Sequence, residues 1–92
     1  MNKPLPKLSP AQAEAWGRVL VWYREHGTKY ESFEAWHGRY VLRGMTDDWV
    51  EGTDATFNAL VRKGVLIRVL ANRALRRYAI HPDYLPQEDT QS

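Results

Sequence analysis

Residues Thr53–Ile80, TDATFNALVRKGVLIRVLANRALRRYAI, carry the pattern of a short helix followed by a β-hairpin. Phe57, Leu60 and Val61 recur at i, i+3 and i+4, which places them on one face of a helix. Gly64 stands where a helix ends in the left-handed conformation, which glycine adopts without strain. The stretch therefore predicts a short helix that Gly64 ends and that leads directly into β structure.

The β structure after Gly64 is predicted to be a hairpin. Two β-rich runs, Leu66–Leu70 and Leu75–Ile80, flank the turn segment Ala71–Ala74, in which Asn72 tolerates a positive φ. The expected register pairs Leu70 with Leu75, Ile67 with Tyr78 and Val65 with Ile80 on one side, and Leu66 with Ala79 and Arg68 with Arg77 on the other. Like charges directly opposite each other destabilise a hairpin. The predicted arginine pair therefore indicates side chains that splay into water or are offered to an anion.

The run Leu60-Val61-Arg62-Lys63-Gly64-Val65-Leu66, followed by a basic hairpin and by Tyr78-Ala79-Ile80, resembles the second half of a winged helix-turn-helix domain. In that superfamily a recognition helix ends in a Leu…Lys-Gly-hydrophobic junction, and the hairpin forms the wing. The resemblance covers roughly the last half to two-thirds of the ordered chain. It implies an α+β, mostly α fold, with three or so helices followed by a C-terminal β-hairpin wing. It also implies duplex DNA as a partner, contacted through helix 54–63 and the wing 66–80.

The first half of the chain is predicted to be helical. Ser9-Pro10-Ala11-Gln12 has capping-box spacing with proline at the first helical position, and Gly27 ends this helix. Its apolar stripe comprises Trp16, Val19, Leu20 and Tyr23. Val21 and Trp22 fall off that stripe. Either the helix is covered on a second side, or these two residues belong to a partner interface, where exposed aromatic residues are enriched.

The segment between helix 1 and Thr53 is less regular. Thr28–Glu31 fits either a second capping box or a short strand of the kind that pairs with a wing. Glu31–Arg43 is predicted to be helix 2, because helical spacing relates Phe33, Trp36, His37, Tyr40 and Val41. Met45–Gly52 is predicted to form a single helical turn capped by Thr46, with Trp49 directed into the core.

Composition predicts one folded domain. The chain has 92 residues, of which 43% are hydrophobic, so we expect a winged-helix domain over 9–82 between a flexible N-terminus, 1–8, and a mobile acidic tail, 83–92. There is no cysteine, which excludes disulfides and thiolate metal sites. No apolar run approaches membrane-spanning length, and residues 1–8 precede no signal-peptide hydrophobic region. We therefore expect a cytoplasmic protein with no membrane partner.

Charge is segregated along the chain. Residues 55–82 carry six Lys or Arg and no Asp or Glu, whereas residues 31–54 carry two basic and six acidic residues. The basic block coincides with the predicted recognition helix and wing, where cations would neutralise phosphates. Asn58 and Arg62 are of the types that read adenine and guanine edges, and Thr53 and Thr56 suit a phosphate at a helix N-terminus. The predicted DNA-binding residues are Thr53, Thr56, Asn58, Arg62, Lys63, Arg68, Arg73, Arg76 and Arg77.

The acidic residues up to residue 54 and the three histidines do not form a recognisable metal or catalytic motif. Asp47, Glu51 and Asp54 lie at i, i+4 and i+7, which would gather carboxylates for a hard cation only on a continuous helix. Gly52-Thr53 interrupts that helix, so the ordinary interpretation is acids favoured at helix N-termini. No metal spacing or catalytic pattern relates the three histidines, His26, His37 and His81. We therefore expect no metal site, no cofactor and no enzymatic activity.

The functional expectation is a small DNA-binding protein, a transcriptional regulator or DNA-docking factor, assembled as a homodimer through helices 1 and 2. The alternative is a protein-interaction module on the same fold, an adaptor or inhibitor of bacterial or phage type that does not bind DNA. The acidic edge 47–54 beside the basic wing would suit a polar protein partner. Fold alone does not decide between the two.

Overall fold

A computed structural model describes residues 4–27, 31–36, 49–71 and 76–86. These residues form an α+β domain of two α-helices and a four-stranded mixed sheet. In chain order the elements are α1 (Pro10–His26), β1 (Phe33–Trp36), β2 (Trp49–Glu51), α2 (Asp54–Arg62), β3 (Leu66–Ala71), β4 (Arg76–Ile80) and a 3-10 turn (Pro82–Tyr84).

Helix α1 begins and ends as its sequence predicts. The Ser9 side chain accepts a hydrogen bond from the backbone N–H of Gln12, and the Gln12 side chain accepts one from the backbone N–H of Ser9. Pro10 takes the first helical position, where its missing N–H leaves no hydrogen bond unmade. At the other end, the N–H of Gly27 reaches the Tyr23 carbonyl at 2.9 Å. The predicted capping box is confirmed.

The sheet has the strand order β2-β1-β4-β3. β1 runs parallel to β2 and antiparallel to β4, and β4 runs antiparallel to β3. The Phe33 ring contacts both Trp22 of α1 and Phe57 of α2, at centroid distances of 5.1 and 5.5 Å. Both helices therefore cover the same face of the sheet.

The prediction of a helix over Glu31–Arg43 is wrong where the structure describes it, because residues 33–36 form β1. Phe33 pairs with Tyr78 of β4, and its ring is fully buried. Strand pairing here overrides the helical spacing of the aromatic residues, as short apolar runs allow. Of the stretch Thr28–Glu31 only Glu31 is described, and it precedes β1, so neither the capping box nor the strand suggested for that stretch is tested. Residues 28–30 and 37–48 lie outside the described ranges.

The predicted helical turn over Met45–Gly52 is also wrong in its described part, where Trp49–Glu51 form β2. Alternation along this strand buries Val50 to 3% exposure, whereas Trp49 stays half-buried. The expectation that Trp49 is the inward residue is therefore corrected to Val50.

Helix α2 and its junction follow the prediction. Thr53 caps the helix by accepting a hydrogen bond from the N–H of Thr56. At the other end Gly64 has φ 79°, its N–H reaches the Val61 carbonyl, and the N–H of Val65 reaches the Leu60 carbonyl at 3.0 Å. These two bonds form a Schellman motif, which needs a left-handed residue at the glycine position.

The hairpin is present, but its predicted register is wrong. Leu66 pairs with Ile80 and Arg68 with Tyr78, one residue away from the expected partners. A bulge between Arg68 and Leu70 then shifts the register again, so that Leu70 faces Arg77. Because a one-residue slip exchanges the two faces of a strand, Leu66 is buried and Ile67 is 40% exposed. The expected pair of opposing arginines does not form.

The core lies between the two helices and the sheet. α1 contributes Trp22, which is 5% exposed, so of the two interpretations of Val21 and Trp22 the covered second side applies to Trp22. The other buried hydrophobic residues are Ala15, Trp16, Val19, Phe33, Val50, Phe57, Leu60, Val65, Leu66, Tyr78 and Ile80. Tyr84 and Leu85 pack against this core from beyond residue 82. Within the described ranges, no helix combines the length and apolarity needed to cross a bilayer.

Candidate nucleic-acid interface

The N-terminus of α2 presents two threonine hydroxyls. Thr53 uses its oxygen to cap the helix and donates its own proton to Thr56 Oγ1 at 3.0 Å. A hydroxyl has a single O–H to donate. Thr56 is therefore the threonine whose O–H remains available to an incoming acceptor, while Thr53 orients it.

The outward face of α2 carries two small side chains and one cationic side chain. Ala55 is exposed and Ala59 half-buried, so the backbone can be approached closely there. Arg62 is exposed and has no hydrogen bond or ion pair within the described residues. It lies one turn after Asn58 on the same face of the helix. Arg62 is therefore a guanidinium that an external anion can engage without breaking a contact to another described residue.

Lys63 is exposed but has internal partners. Its ammonium donates to the backbone carbonyl of Lys7 and, at 2.8 Å, to Gln12 Oε1. Because Gln12 is also part of the capping box of α1, Lys63 ties the end of α2 to the start of α1. A phosphate contact by Lys63 would compete with this tie.

The side of α2 that faces the hairpin carries a polar cluster of three residues, Asn58, Arg68 and Tyr78, called here the Asn58 cluster. Asn58 Oδ1 accepts a hydrogen bond from Arg68 Nη2 at 2.7 Å and another from Tyr78 Oη at 3.0 Å. One residue therefore comes from α2, one from β3 and one from β4. The cluster fixes the hairpin against the helix, and it exists only in the observed register.

The two remaining described arginines of the hairpin are held by other elements. Arg76 Nε lies 3.5 Å from Asp54 Oδ2 at the start of α2. Arg77 donates from Nε to Ser32 Oγ at 2.9 Å and from Nη2 to the Ser32 carbonyl at 2.8 Å. Arg77 therefore joins β4 to the residue before β1. Arg73 lies outside the described residues.

The charges around the Asn58 cluster affect the pKa of Tyr78. Burial raises the pKa of this phenol above its ordinary value of 10.0, and the carboxylate of Asp54 raises the pKa further. The cationic charge of Arg68, its hydrogen bond and the charge of Arg76 all oppose the rise. The phenol is therefore held in its neutral form, in which it can donate to Asn58.

The hairpin also exposes apolar side chains. Ile67, Val69 and Leu70 are 40%, 53% and 40% exposed, and all three belong to β3, which is an edge strand of the sheet. Ile67 pairs with Ala79 on the face opposite the two helices. This apolar surface was missed by the sequence analysis, because the predicted register placed Ile67 inward.

The predicted interface residues Val21 and Trp22 separate in the structure. Val21 is 47% exposed, whereas Trp22 is buried. Both line a cavity of about 330 Å³ between α1 and β2, together with Trp49, Glu25 and other residues. Trp22 Nε1 is the one buried side-chain nitrogen or oxygen in the described ranges that has no hydrogen-bond partner. Of the two predicted interface residues, only Val21 is exposed.

Metal-ligating side chains do not cluster in the part of the chain that the structure describes, which holds no group of three or more His, Asp or Glu. Asp47 and His37 lie outside it. His81 caps the final turn, accepting from the Asp83 N–H at 3.0 Å. His26 Nε2 lies 3.8 Å from Glu25 Oε1.

The chain matches no family model, and no curated protein or solved structure matches it.

The sequence pattern indicated Asn58 and Arg68 as DNA-binding residues but gave no sign of the hydrogen bond between them. Neither Ser32, the partner of Arg77, nor the polar contact of Tyr78 was predicted. A serine before a strand carries no signal of its own, and Tyr78 reads as a core aromatic. Only the register of the hairpin brings these groups to their partners.

Proposed function

We propose that this protein is a winged helix-turn-helix protein that binds duplex DNA through α2 and the β3–β4 hairpin. The order of the elements supports the proposal, since α2 leads through Gly64 directly into the hairpin. β1 pairs with the far strand of that hairpin, as a short strand beside a wing does. The cellular role that fits such a DNA-binding protein is transcriptional regulation or DNA docking.

The observation that carries the proposal is the arrangement of Arg62 and Arg68 around Asn58. Arg62 lies one turn along the helix from Asn58, and Arg68 contacts Asn58 directly from β3. Both arginines are exposed. Two cations that flank a polar side chain on a helix suit phosphates on either side of a base edge, because phosphate contacts position a protein while base contacts specify the sequence.

The experiment is a binding titration of a labelled random duplex with the unaltered protein and with Arg62→Ala. Arg24→Ala is the matched control, because Arg24 is an exposed arginine near the end of α1, remote in sequence from α2 and the hairpin. Both variants lose one positive charge. Affinity that falls for Arg62→Ala and holds for Arg24→Ala supports the assignment of the surface. An equal fall in both variants would reduce the effect to net charge and contradict it.

A second candidate function, protein recognition, is favoured by one observation, the exposed apolar side chains of β3. An edge strand offers unpaired backbone groups to which a partner can add a strand. Val69→Lys is expected to affect the two functions differently. DNA binding predicts that the added cation leaves duplex affinity equal or higher. Recognition of a second copy through β3 predicts that the unaltered protein self-associates and that Val69→Lys is monomeric in sedimentation velocity.

A further inference from the structure

The orientation of the Asn58 amide is fixed by chemistry. Arginine has only donors and no acceptor. The atom of Asn58 that lies 2.7 Å from Arg68 Nη2 must therefore be the oxygen, Oδ1, and the amide nitrogen Nδ2 must point the other way. Tyr78 Oη occupies the second acceptor position of the same oxygen.

The amide nitrogen of Asn58 makes no contact with another described polar group. No hydrogen bond of Nδ2 occurs within the described residues, and Asn58 has no further polar contact there. Nδ2 is not enclosed either, since the sole buried side-chain nitrogen or oxygen without a partner in those ranges is Trp22 Nε1. Asn58 therefore presents only its donor, Nδ2, to solvent, because Arg68 and Tyr78 occupy both acceptor positions of Oδ1.

We propose, on the basis of the proposed DNA binding, that Asn58 contacts base edges only as a hydrogen-bond donor. Its targets are acceptor atoms of the major groove, namely guanine N7 and O6, adenine N7 and thymine O4, and cytosine, which presents the N4 amino group, is disfavoured. The bidentate adenine contact is excluded, because it requires the amide oxygen to accept from adenine N6. This replaces the expectation from sequence that Asn58 reads adenine bidentately.

Arg68 is then a positioning residue in addition to a cation. Its donor holds Oδ1 away from the DNA, whereas Tyr78 alone would not, because a hydroxyl both donates and accepts. Without Arg68 the amide can rotate by half a turn and still bond Tyr78, so that Oδ1 then faces outward as an acceptor. Removal of Arg68 therefore lets Asn58 accept from the amino groups of adenine and cytosine, which the intact cluster forbids.

The test compares base preferences, obtained by selection from a random duplex library and sequencing, for the unaltered protein and three variants. Asn58→Asp keeps the shape and both acceptors but has no donor, so the preference at the contacted position falls by about two- to tenfold, the range of one net hydrogen bond. Arg68→Ala gains preference for the bases that carry an amino donor, adenine and cytosine, at that position. Arg24→Ala, the matched charge control remote in sequence from α2 and the hairpin, keeps the base profile.

The possible outcomes separate the two proposals. A uniform loss of affinity in Asn58→Asp with an unchanged base profile would assign Nδ2 to a phosphate and overturn base readout. An unchanged profile in Arg68→Ala would overturn the positioning role. Either result leaves DNA binding itself intact. If the unaltered protein binds no duplex, the proposed function fails and this inference fails with it.

Discussion

Arg68 Nη2 and Asn58 Oδ1 lie 2.7 Å apart and join the hairpin to α2 ten residues earlier in the chain. Tyr78 completes the contact from the second strand of the hairpin. The helix and the hairpin therefore form one unit. A surface for duplex DNA needs this, because side chains that read a groove must hold their spacing to those that contact phosphates.

The Asn58 cluster is expected to behave as a coupled unit in stability. Asn58→Ala removes the acceptor of the Tyr78 hydroxyl, and a buried donor left without its partner costs about 1–3 kcal/mol of the free energy of unfolding. In a Tyr78→Phe background the same change costs less, because no hydroxyl remains to be orphaned. Urea denaturation of the four proteins measures the coupling. Additive effects would show that the cluster contributes nothing as a unit.

Tyr78 makes stability depend on pH in the alkaline range. Its pKa is raised in the folded state, chiefly by burial, so above pH 10 the folded protein holds this proton more tightly than the unfolded chain. Its contribution to the free energy of unfolding is complete below pH 10 and is lost as pH rises through the folded-state pKa. Denaturation at several pH values checks this. Tyr78→Phe is expected to flatten the fall, and an equal fall in both proteins would contradict the assignment.

Two glycines are expected to respond oppositely to alanine. A Cβ at Gly64 meets no atom within 4 Å, but its φ of 79° is strained for any L-residue. We expect Gly64→Ala to lower the free energy of unfolding by about 1–2 kcal/mol. Gly17, in the middle of α1, also has open space around a Cβ. Gly17→Ala is the control and should stabilise by roughly 0.5–1 kcal/mol. Thermal or urea denaturation measures both, and a destabilised Gly17→Ala would contradict this account of α1.

We expect the Arg77 guanidinium to contribute more to the stability of the fold than to the affinity for duplex DNA. Its guanidinium donates to both the hydroxyl and the carbonyl of Ser32, a two-pronged contact that an ammonium does not reproduce. Arg77→Lys keeps the charge. We expect it to retain most of the duplex affinity and to lose about 1 kcal/mol of stability, measured on the same preparation. The reverse pattern, intact stability with lost affinity, would place the Arg77 guanidinium on the DNA.

Local signals were enough to predict α1, α2 and the Gly64 junction. Their determinants, such as the Ser9 capping box and the apolar face of Phe57 and Leu60, lie within a few residues of each other. The strand β1 was not predictable in this way. Phe33 follows helical spacing toward later aromatics, and only its pairing with Tyr78, 45 residues away, makes it a strand residue.

The candidate site was predictable by residue type and not by geometry. A basic helix–hairpin unit with Asn58 and Arg62 follows from the sequence. The bulge after Arg68 does not, because no turn residue or charge marks Val69 as the extra residue. That bulge and the one-residue shift before it decide that Arg68 faces Tyr78 and reaches Asn58, and that Ile67 is exposed.

DNA binding itself is tested most directly by fluorescence anisotropy of a labelled random duplex with the unaltered protein, at salt concentrations from about 50 to 200 mM. Each phosphate contact contributes a slope of about −0.9 to log K against log[salt]. Contacts by Arg62 and Arg68 alone therefore predict a slope of about −1.8 or steeper. Absence of binding at the lowest salt, or binding independent of salt, would contradict the assignment of this surface to duplex DNA.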